Sequence, residues 1–326
     1  MTIHTHIYNK VYSVGVVMML LAAILFFSAC GSSDKVPIKA EKVADSLLVK
    51  VAVFPSLDAL PLALANDWGV FDSLGVSVEM DVFRSQMDAE KALVDGKADV
   101  VLTDMFRVGW WQWHKKPLKF AFATHRPLYL VPNRTLRVSK VEQLDDRMIA
   151  GTRNSLEDFF IDNIITQIKN RKGQILRPQI NSVELRLRML KSGQLDAVVF
   201  NAQQALKAQS ADYPSLKVRH DSLTGLAGFA FNTNSLRTKE VQLSKLSRAY
   251  DIVVAKLRSN ARMPQISDQT RQSLFLGHAI DTLLNPKLHF AATSAPDDKN
   301  KTLVAEWLRL NAATSGYTGD TLFVQP

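Results

Sequence analysis

The chain has 326 residues, of which 47% are hydrophobic and 22% charged, a composition typical of globular proteins and a length sufficient for two domains. Its formal net charge is +9, but the basic runs are too short to indicate a nucleic-acid-binding protein. The single cysteine excludes an intrachain disulfide. We therefore expect a globular protein without a nucleic-acid partner.

The N-terminal segment carries a localisation signal. Residues 11–27 are an apolar run that follows Lys10 and ends just before the only cysteine, Cys30. Its length suits a secretion signal and is marginal for a membrane span. Small residues before a lone cysteine resemble the signal of bacterial lipoproteins, which implies that residues 1–29 are removed and that Cys30 is lipidated. An uncleaved anchor is the alternative, and either would place the protein in the cell envelope, facing the periplasm or exterior.

The next stretch, residues 30–46, is polar and without periodicity, and we predict a tether there. Strands and helices then alternate, which is typical of α/β proteins with parallel sheets. Strands are predicted at residues 49–54, 76–83, 100–102, 118–124, 148–150 and 197–200. Helices are predicted at residues 59–68, 86–95, 105–114, 156–168, 240–258, 268–284 and 303–313.

One pattern occurs twice in the chain. Residues 92–104 and 189–201 each contain a helix end, a glycine, an aspartate, an apolar run and a polar side chain, at an offset of 97 residues. Gly96 and Gly193 are predicted to end their helices in the left-handed conformation. The apolar runs lack alternation, which indicates parallel strands covered on both faces. We interpret the pattern as two duplicated halves; chance similarity between ordinary strand–helix units is the alternative.

Helix starts follow nearly the same offset, with 97 residues from Asp58 to Ser155 and 96 from Ser85 to Asn181. The predicted N-terminal caps are Asp58, Ser85, Ser155 and Asn181, each with side-chain oxygens able to accept from free backbone N–H groups. Residues 127–132 are bracketed by prolines and are predicted to cross into a second lobe, and residues 229–232 to cross back. The resulting division is lobe I at residues 47–127 plus 222–326 and lobe II at residues 128–221.

Several motifs together carry a family resemblance. They are PSLD at residues 55–58, ALANDWGVF at residues 63–71, GVSVE at residues 75–79, KALVDGKAD at residues 91–99 and LKSGQLDAV at residues 190–198. With the lipoprotein signal, this order resembles the substrate-binding proteins of ABC importers, in the branch for sulfonates, nitrate and thiamine-pyrimidine precursors. The resemblance implies the two-lobed periplasmic-binding-protein fold of type II, and a monomer that delivers a small ligand to ABC permease and ATPase subunits.

The ligand site is predicted at the carboxyl ends of the strands, where open α/β sheets bind their ligands. Helices that begin there present free N–H groups and a positive dipole end to an anion, and an arginine can hold an oxoanion bidentately. The predicted ligand-binding residues are Ser56, Leu57, Thr103, Asp104, Arg107, Thr152, Arg153, Asn154, Ser155 and Asn201. We expect a small anionic or heteroaromatic ligand.

Other roles remain open for several of these residues. Arg153 suits a solvated loop cation or an interlobe ion pair equally well. Thr103, Asp104 and Asn201 could cap the helices that follow, and this is the preferred role of Asp104. An Asp104 facing the cleft would instead suit an amine or aminopyrimidine. The three tryptophans at positions 110, 111 and 113 lie too far down the helix for the site and are expected to pack.

Catalytic signatures are missing from the sequence. It contains no Gly-x-Ser-x-Gly, phosphate loop, dinucleotide fingerprint or His-Glu-x-x-His, so we predict no catalytic residue, cofactor or metal site. Two alternatives to a solute receptor stay open. One is a fold-related enzyme of cofactor biosynthesis, and the other is a membrane-tethered interaction protein without a ligand.

Overall fold

The computed structural model describes residues 47–218, 223–260, 264–277, 280–281 and 284–324. The predicted signal peptide, Cys30 and the tether lie outside these ranges. Within them, no helix combines the length and apolar character needed to cross a membrane.

The strands form two sheets. They are β1 (Leu48–Val53), β2 (Ser77–Val82), β3 (Val100–Asp104), β4 (Leu118–Ala123), β5 (Leu128–Pro132), β6 (Ile149–Ala150), β7 (Ala197–Asn201) and β8 (Ala227–Asn232). The first sheet has the order β2-β1-β3-β8-β4, in which β8 alone runs antiparallel to its neighbours. The second has the order β5-β7-β6, with β6 and β7 parallel and β5 antiparallel.

The second sheet repeats the plan of the first. Beside β6, single parallel bridges join Met148 to Leu176 and Gly151 to Gln179, in the place that β2 takes beside β1. On the other side, an antiparallel bridge joins Leu130 of β5 to Leu216. Both sheets therefore place one antiparallel strand beside two parallel ones. The duplicated pattern predicted the parallel strands and not the antiparallel one.

The helices alternate with the strands. They are α1 (Leu60–Asp67), α2 (Val70–Leu74), α3 (Gln86–Val94), α4 (Met105–Trp113), α5 (Leu156–Gln167), α6 (Val183–Lys191), α7 (Ala202–Gln209), α8 (Thr233–Thr238), α9 (Glu240–Ser259), α10 (Asp268–Ser273), α11 (Pro286–His289) and α12 (Asp298–Asn311). Gly96 and Gly193 have φ angles of 73° and 77°, the left-handed conformation predicted for them. The predicted caps Ser85 and Ser155 accept from backbone N–H groups at the starts of α3 and α5.

Four predictions about these elements are wrong. Asp58 lies inside a 3-10 turn, Leu57–Ala59, where its carboxylate is engaged by an arginine instead of capping. The cap of α6 is Ser182, whose hydroxyl accepts from the Leu185 N–H, and the predicted Asn181 precedes it. Residues 229–232 belong to β8, in the interior of the first sheet. The helix predicted over residues 268–284 breaks after Ser273.

Buried side chains explain why the two sheets and their helices pack together. The strands β3, β7 and β8 are buried at every position, as expected for strands covered on both faces. One apolar cluster includes residues of both sheets and of α4 and α5. Within it the rings of Phe106 and Phe159 stack with centroids 4.9 Å apart. This continuous core holds the carboxyl ends of the two sheets close to each other.

Gly228 allows β8 to approach β4 closely. A Cβ added to Gly228 would lie 2.1 Å from the carbonyl oxygen of Phe122 and 2.8 Å from the Cα of Ala123, both backbone atoms. We expect Gly228→Ala to lower the free energy of unfolding by about 1–3 kcal/mol, because the sheet must shift to admit the methyl group. Urea denaturation measures this loss. Gly277→Ala is the control, since its added Cβ meets no atom within 4 Å. Equal losses in the two variants would contradict the close approach.

Candidate functional site

The predicted strand ends converge between the two sheets. Two side chains from the second sheet, Asn201 at the end of β7 and Gln204 in α7, donate to the backbone carbonyl of Pro55 over 3.1 and 2.7 Å. From the first sheet, Arg107 Nη1 lies 3.5 Å from the carbonyl oxygen of Arg153. The carboxyl ends of β1, β3 and β7 therefore meet across one interface.

The deepest polar group at this interface is Glu90 of α3, which is fully buried. Its carboxylate accepts from Arg107 Nε and Trp111 Nε1 at 2.9 Å each and from Thr103 Oγ1 at 2.7 Å. A fourth donor, Gln86 Nε2, lies 3.0 Å away. Four donors around one carboxylate offset much of the penalty of burying its charge.

A second buried ion pair lies beside the first. Arg126 Nε donates to Asp58 Oδ2 over 2.8 Å, and Thr124 Oγ1 donates to the same oxygen over 2.9 Å. Ser56 Oγ also hydrogen-bonds the Asp58 carboxylate. Gln86 links the two pairs, because its Oε1 accepts from Arg126 Nη1 over 3.3 Å.

We call the connected set the buried polar cluster. It comprises Ser56, Asp58, Gln86, Glu90, Thr103, Asp104, Arg107, Trp111, Thr124 and Arg126. Among the described residues, neither Nη2 of Arg107 nor Nη2 of Arg126 has a hydrogen-bond partner, although both atoms are buried. Buried guanidinium groups are normally satisfied, so two free donors in one cluster mark a place where acceptors can bind.

The cluster contains three acidic side chains and two arginines. Glu90 and Asp58 form ion pairs with the arginines, and Asp104 is the third acid. Its Oδ1 accepts from the Arg107 backbone N–H over 3.0 Å, which is the capping role preferred for it. Its Oδ2 accepts from Gln86 Nε2 over 2.6 Å. Burial, with the nearby Glu90 carboxylate contributing, raises the pKa of Asp104 from 3.8 to about 6 despite these hydrogen bonds.

The residues predicted after β6 lie at the edge of this interface. Thr152 Oγ1 accepts from Arg186 Nη2 over 2.9 Å, and Asn154 adopts a left-handed φ of 53°. Ser155 caps α5. The Arg153 side chain is 40% exposed and lies 3.4 Å from Asp158, so its guanidinium forms an ion pair within its own half of the chain.

The other predicted ligand-binding residues lie in different surroundings. Ser56, Thr103, Asp104 and Arg107 belong to the buried polar cluster, whereas Leu57 packs in the apolar core. Asn201 combines its bond to Pro55 with a capping bond to the Gln204 N–H. Trp111 also lies within the cluster, and Trp110 stacks over the Arg107 guanidinium at 4.5 Å. The expectation that these two tryptophans lie too far down the helix for the site is therefore wrong.

Sequence reasoning missed Glu90, Gln86 and Arg126. Glu90 has a recognisable signal, because it falls among the buried Ala89 and Leu93 on the inward face of α3, where a carboxylate needs a partner. Arg126 lies in the link between β4 and β5, and its local sequence gives no comparable signal.

Two cavities lie near this interface. One, of about 80 Å³, lies between the links that join the sheets and is lined by Thr124, Arg126 and Gly225, among others. At roughly 10–15 Å³ per water, it could hold several waters or one small anion. The other, of about 310 Å³, opens beside Pro55. Among the described residues, no group of three or more His, Cys, Asp or Glu side chains could hold a metal ion.

The strand order and the comparisons define the fold class. A Candida albicans gene product described as having the generic periplasmic-binding-protein fold matches with a TM-score of 0.61 and 14% identity, over 86% of this chain and 98% of that one. The chain has this α/β fold. No protein-family model matches the sequence, and no curated sequence is similar enough to count as a relative.

Two transport proteins share the fold at low identity. The alkanesulfonate-binding protein SsuA from Xanthomonas axonopodis pv. citri, bound to MOPS, matches with a TM-score of 0.66 and 14% identity, over 85% of this chain and 96% of that one. The ligand-binding component of an ABC-type import system from Staphylococcus aureus, with zinc bound, has a TM-score of 0.66 and 13% identity, over 86% and 96%.

Proposed function

We propose that this protein is the solute-binding component of an ABC import system and captures a small anionic ligand between its two lobes. The observation that carries the proposal is the pair of buried arginines, Arg107 and Arg126, whose Nη2 atoms lack partners among the described residues. Both belong to the cluster at the strand ends, where α/β folds bind ligands. Guanidinium groups suit sulfonates, nitrate and carboxylates, whose oxygens accept charge-assisted hydrogen bonds.

The proposal includes the division into lobes and the cellular context. Lobe I comprises residues 47–127 and 222–326, and lobe II comprises residues 128–221. Cys30 carries the lipid anchor, and the monomer faces the periplasm or exterior and delivers its ligand to a permease and its ATPase. The similarity to an alkanesulfonate-binding protein and to an import component supports this role. It is a binding function and not an enzymatic one.

Ligand binding is expected to raise the melting temperature of the purified full chain in detergent. At 100 times the Kd a ligand adds about 2.7 kcal/mol to stability, which corresponds to several degrees for a protein of this size. The panel contains nitrate, methanesulfonate, benzenesulfonate, acetate, benzoate and an aminopyrimidine. A shift with the anions alone supports the proposal, whereas a shift with the aminopyrimidine alone would favour the heteroaromatic class.

The arginine contacts are tested with Arg126→Lys, which keeps the charge beside Asp58 but removes the planar fork of donors. We expect at least tenfold weaker binding of nitrate, an anion small enough for the 80 Å³ cavity beside Arg126, by calorimetry. Arg248→Lys, at an exposed position of α9, is the matched control and should bind as the wild type does. Equal affinity in both variants would remove Arg126 from the site.

A separate observation favours a second candidate function. Asn201 and Gln204 reach Pro55 directly, so the two strand ends are joined by protein hydrogen bonds. This arrangement suits an interaction protein whose cleft takes no ligand. If no compound in the panel shifts the melting temperature and the purified protein carries no bound small molecule, this second function replaces the first.

A further inference from the structure

A second pocket opens where the cleft meets solvent. Its volume is about 310 Å³, and Pro55, Arg84, Ser182, Glu184, Arg188 and Phe275 line it. Pro55 and Arg84 follow β1 and β2 of the first sheet. Beside the second sheet, Ser182 caps α6, and Glu184 and Arg188 lie in its first and last turns. We call it the mouth pocket. Its volume lies at the lower end of the range for small-molecule sites.

The mouth pocket is positively charged. Arg84 and Arg188 are exposed, and within the described ranges neither guanidinium group forms a hydrogen bond or an ion pair. Among the lining residues that the structure describes, Glu184 is the only acid, and both of its carboxylate oxygens accept from Lys207 Nζ, over 2.7 and 2.8 Å. Two guanidinium groups from opposite sides of the cleft are therefore available to one anion.

Phe275 has an unusual backbone conformation for an aromatic residue. Its φ is 54°, in the left-handed region where side chains with a Cβ are disfavoured. Its N–H bonds the Gln272 carbonyl, and the Leu276 N–H bonds the Arg271 carbonyl, which is the helix-ending geometry that usually carries glycine. The strain is not offset by burial, because Phe275 is 50% exposed while Leu274 and Leu276 are buried.

The turn that carries Phe275 is attached to the second half of the molecule. Gln203 of α7 donates from Nε2 to the Leu274 carbonyl over 2.8 Å and lies 3.5 Å from the Phe275 carbonyl. This attachment holds an unpacked ring at the pocket. A strained residue with no packing role indicates a functional one.

We propose that the mouth pocket binds a planar organic anion, with its sulfonate or carboxylate held by Arg84 and Arg188 and its ring stacked on Phe275. The inference rests on the proposed solute-binding function and assigns aryl sulfonates or aryl carboxylates to the mouth pocket, whose Arg84 and Arg188 are distinct from Arg107 and Arg126 of the buried polar cluster. Aromatic stacking supplies the selectivity for a ring, and the two guanidinium groups supply the selectivity for an anion.

The experiment compares benzenesulfonate with methanesulfonate by calorimetry on the purified full chain in detergent. We expect benzenesulfonate to bind about three- to tenfold more tightly, the factor that one aromatic contact provides. Phe275→Gly should abolish this preference while leaving methanesulfonate affinity unchanged. The same variant should raise the melting temperature by roughly 2–4 °C, because glycine relieves the backbone strain.

Arginine variants provide an independent measurement. Arg84→Gln and Arg188→Gln should each weaken benzenesulfonate binding at least tenfold, with Arg248→Gln as the exposed control that leaves it unchanged. Equal binding of the two sulfonates by the wild type would overturn the ring preference while leaving the solute-binding function intact. A stabilised Phe275→Gly that still prefers benzenesulfonate overturns the role of Phe275. If no anion binds at all, the inference and the proposed function both fail.

Discussion

Replacing Glu90 with alanine is expected to lower the free energy of unfolding by about 3–5 kcal/mol, the loss typical of breaking a buried ion pair. Glu90 is fully buried and accepts from Arg107, Trp111, Thr103 and Gln86. Alanine would leave the Arg107 charge uncompensated and the other three donors without their acceptor. Thermal denaturation measures the effect, and we expect the melting temperature to fall by about 10 °C.

The matched control is Glu306→Ala. Glu306 also lies on a helix, α12, but is exposed. Its replacement should change stability by about 0.5 kcal/mol or less, as is usual for surface positions. Glu90→Gln keeps the side-chain volume and removes the charge, so an intermediate loss is expected. If Glu90→Ala melts at the temperature of Glu306→Ala, the buried polar cluster does not stabilise the fold.

The Glu90 result also bears on ligand binding. A cluster that holds Arg107 through Nε fixes the direction of its free Nη2 donor. Preorganised donors bind anions better, because their ordering is completed during folding and not on binding. Stability and affinity should therefore fall together in Glu90→Ala, whereas Arg126→Lys should reduce affinity more than stability.

Local chemistry explains which parts of the site could be predicted from the sequence. A continuous apolar run followed by a polar residue identifies the buried end of a parallel strand, and this places Thr103, Asp104 and Asn201 correctly. In the same way, a serine directly before a run with helical periodicity identifies the caps Ser85 and Ser155. Each of these features depends on a few neighbouring residues.

The pairings within the cluster depend on distant residues. Arg126 and Asp58 are 68 positions apart, and Arg107 and Glu90 are 17 apart. Composition and periodicity identify charged residues but not which pairs of them are buried together. Two of the three partners of Asp58, Thr124 and Arg126, follow β4, so its role depends on the sheet order and not on the helix start predicted there.

The backbone conformation of Phe275 also depends on distant residues and could not be predicted from the local sequence. The apolar spacing over residues 268–284 predicts one long helix, and nothing local at Phe275 indicates a left-handed residue. The turn is held by Gln203, a residue more than 70 positions away in the second half of the fold. Tertiary contacts have overridden helical periodicity at this position.

Lowering the pH is expected to stabilise the wild type relative to Asp104→Asn. The folded pKa of Asp104 is raised from 3.8 to about 6 by burial and by Glu90, partly opposed by Gln86 and Arg126. Above about pH 6 both the folded and unfolded states hold the charged form, and burying it is unfavourable. Between about pH 6 and 3.8 the folded state binds a proton that the unfolded state releases, so stability rises as pH falls.

When the pKa of Asp104 changes from 3.8 to about 6, the full gain in the free energy of unfolding is about 3 kcal/mol, at about 1.4 kcal/mol for each pKa unit. The asparagine introduced by Asp104→Asn is still a good capping side chain but cannot titrate, so the difference in stability between wild type and variant isolates this proton. Urea denaturation from pH 7.5 to 4.5 should show the difference growing by about 2 kcal/mol in favour of the wild type. The matched control is Asp297→Asn, at the exposed cap of α12. A difference that stays constant across this range would mean that the Asp104 carboxyl is not held in a desolvated site, and the electrostatic account of the cluster would then have to be abandoned.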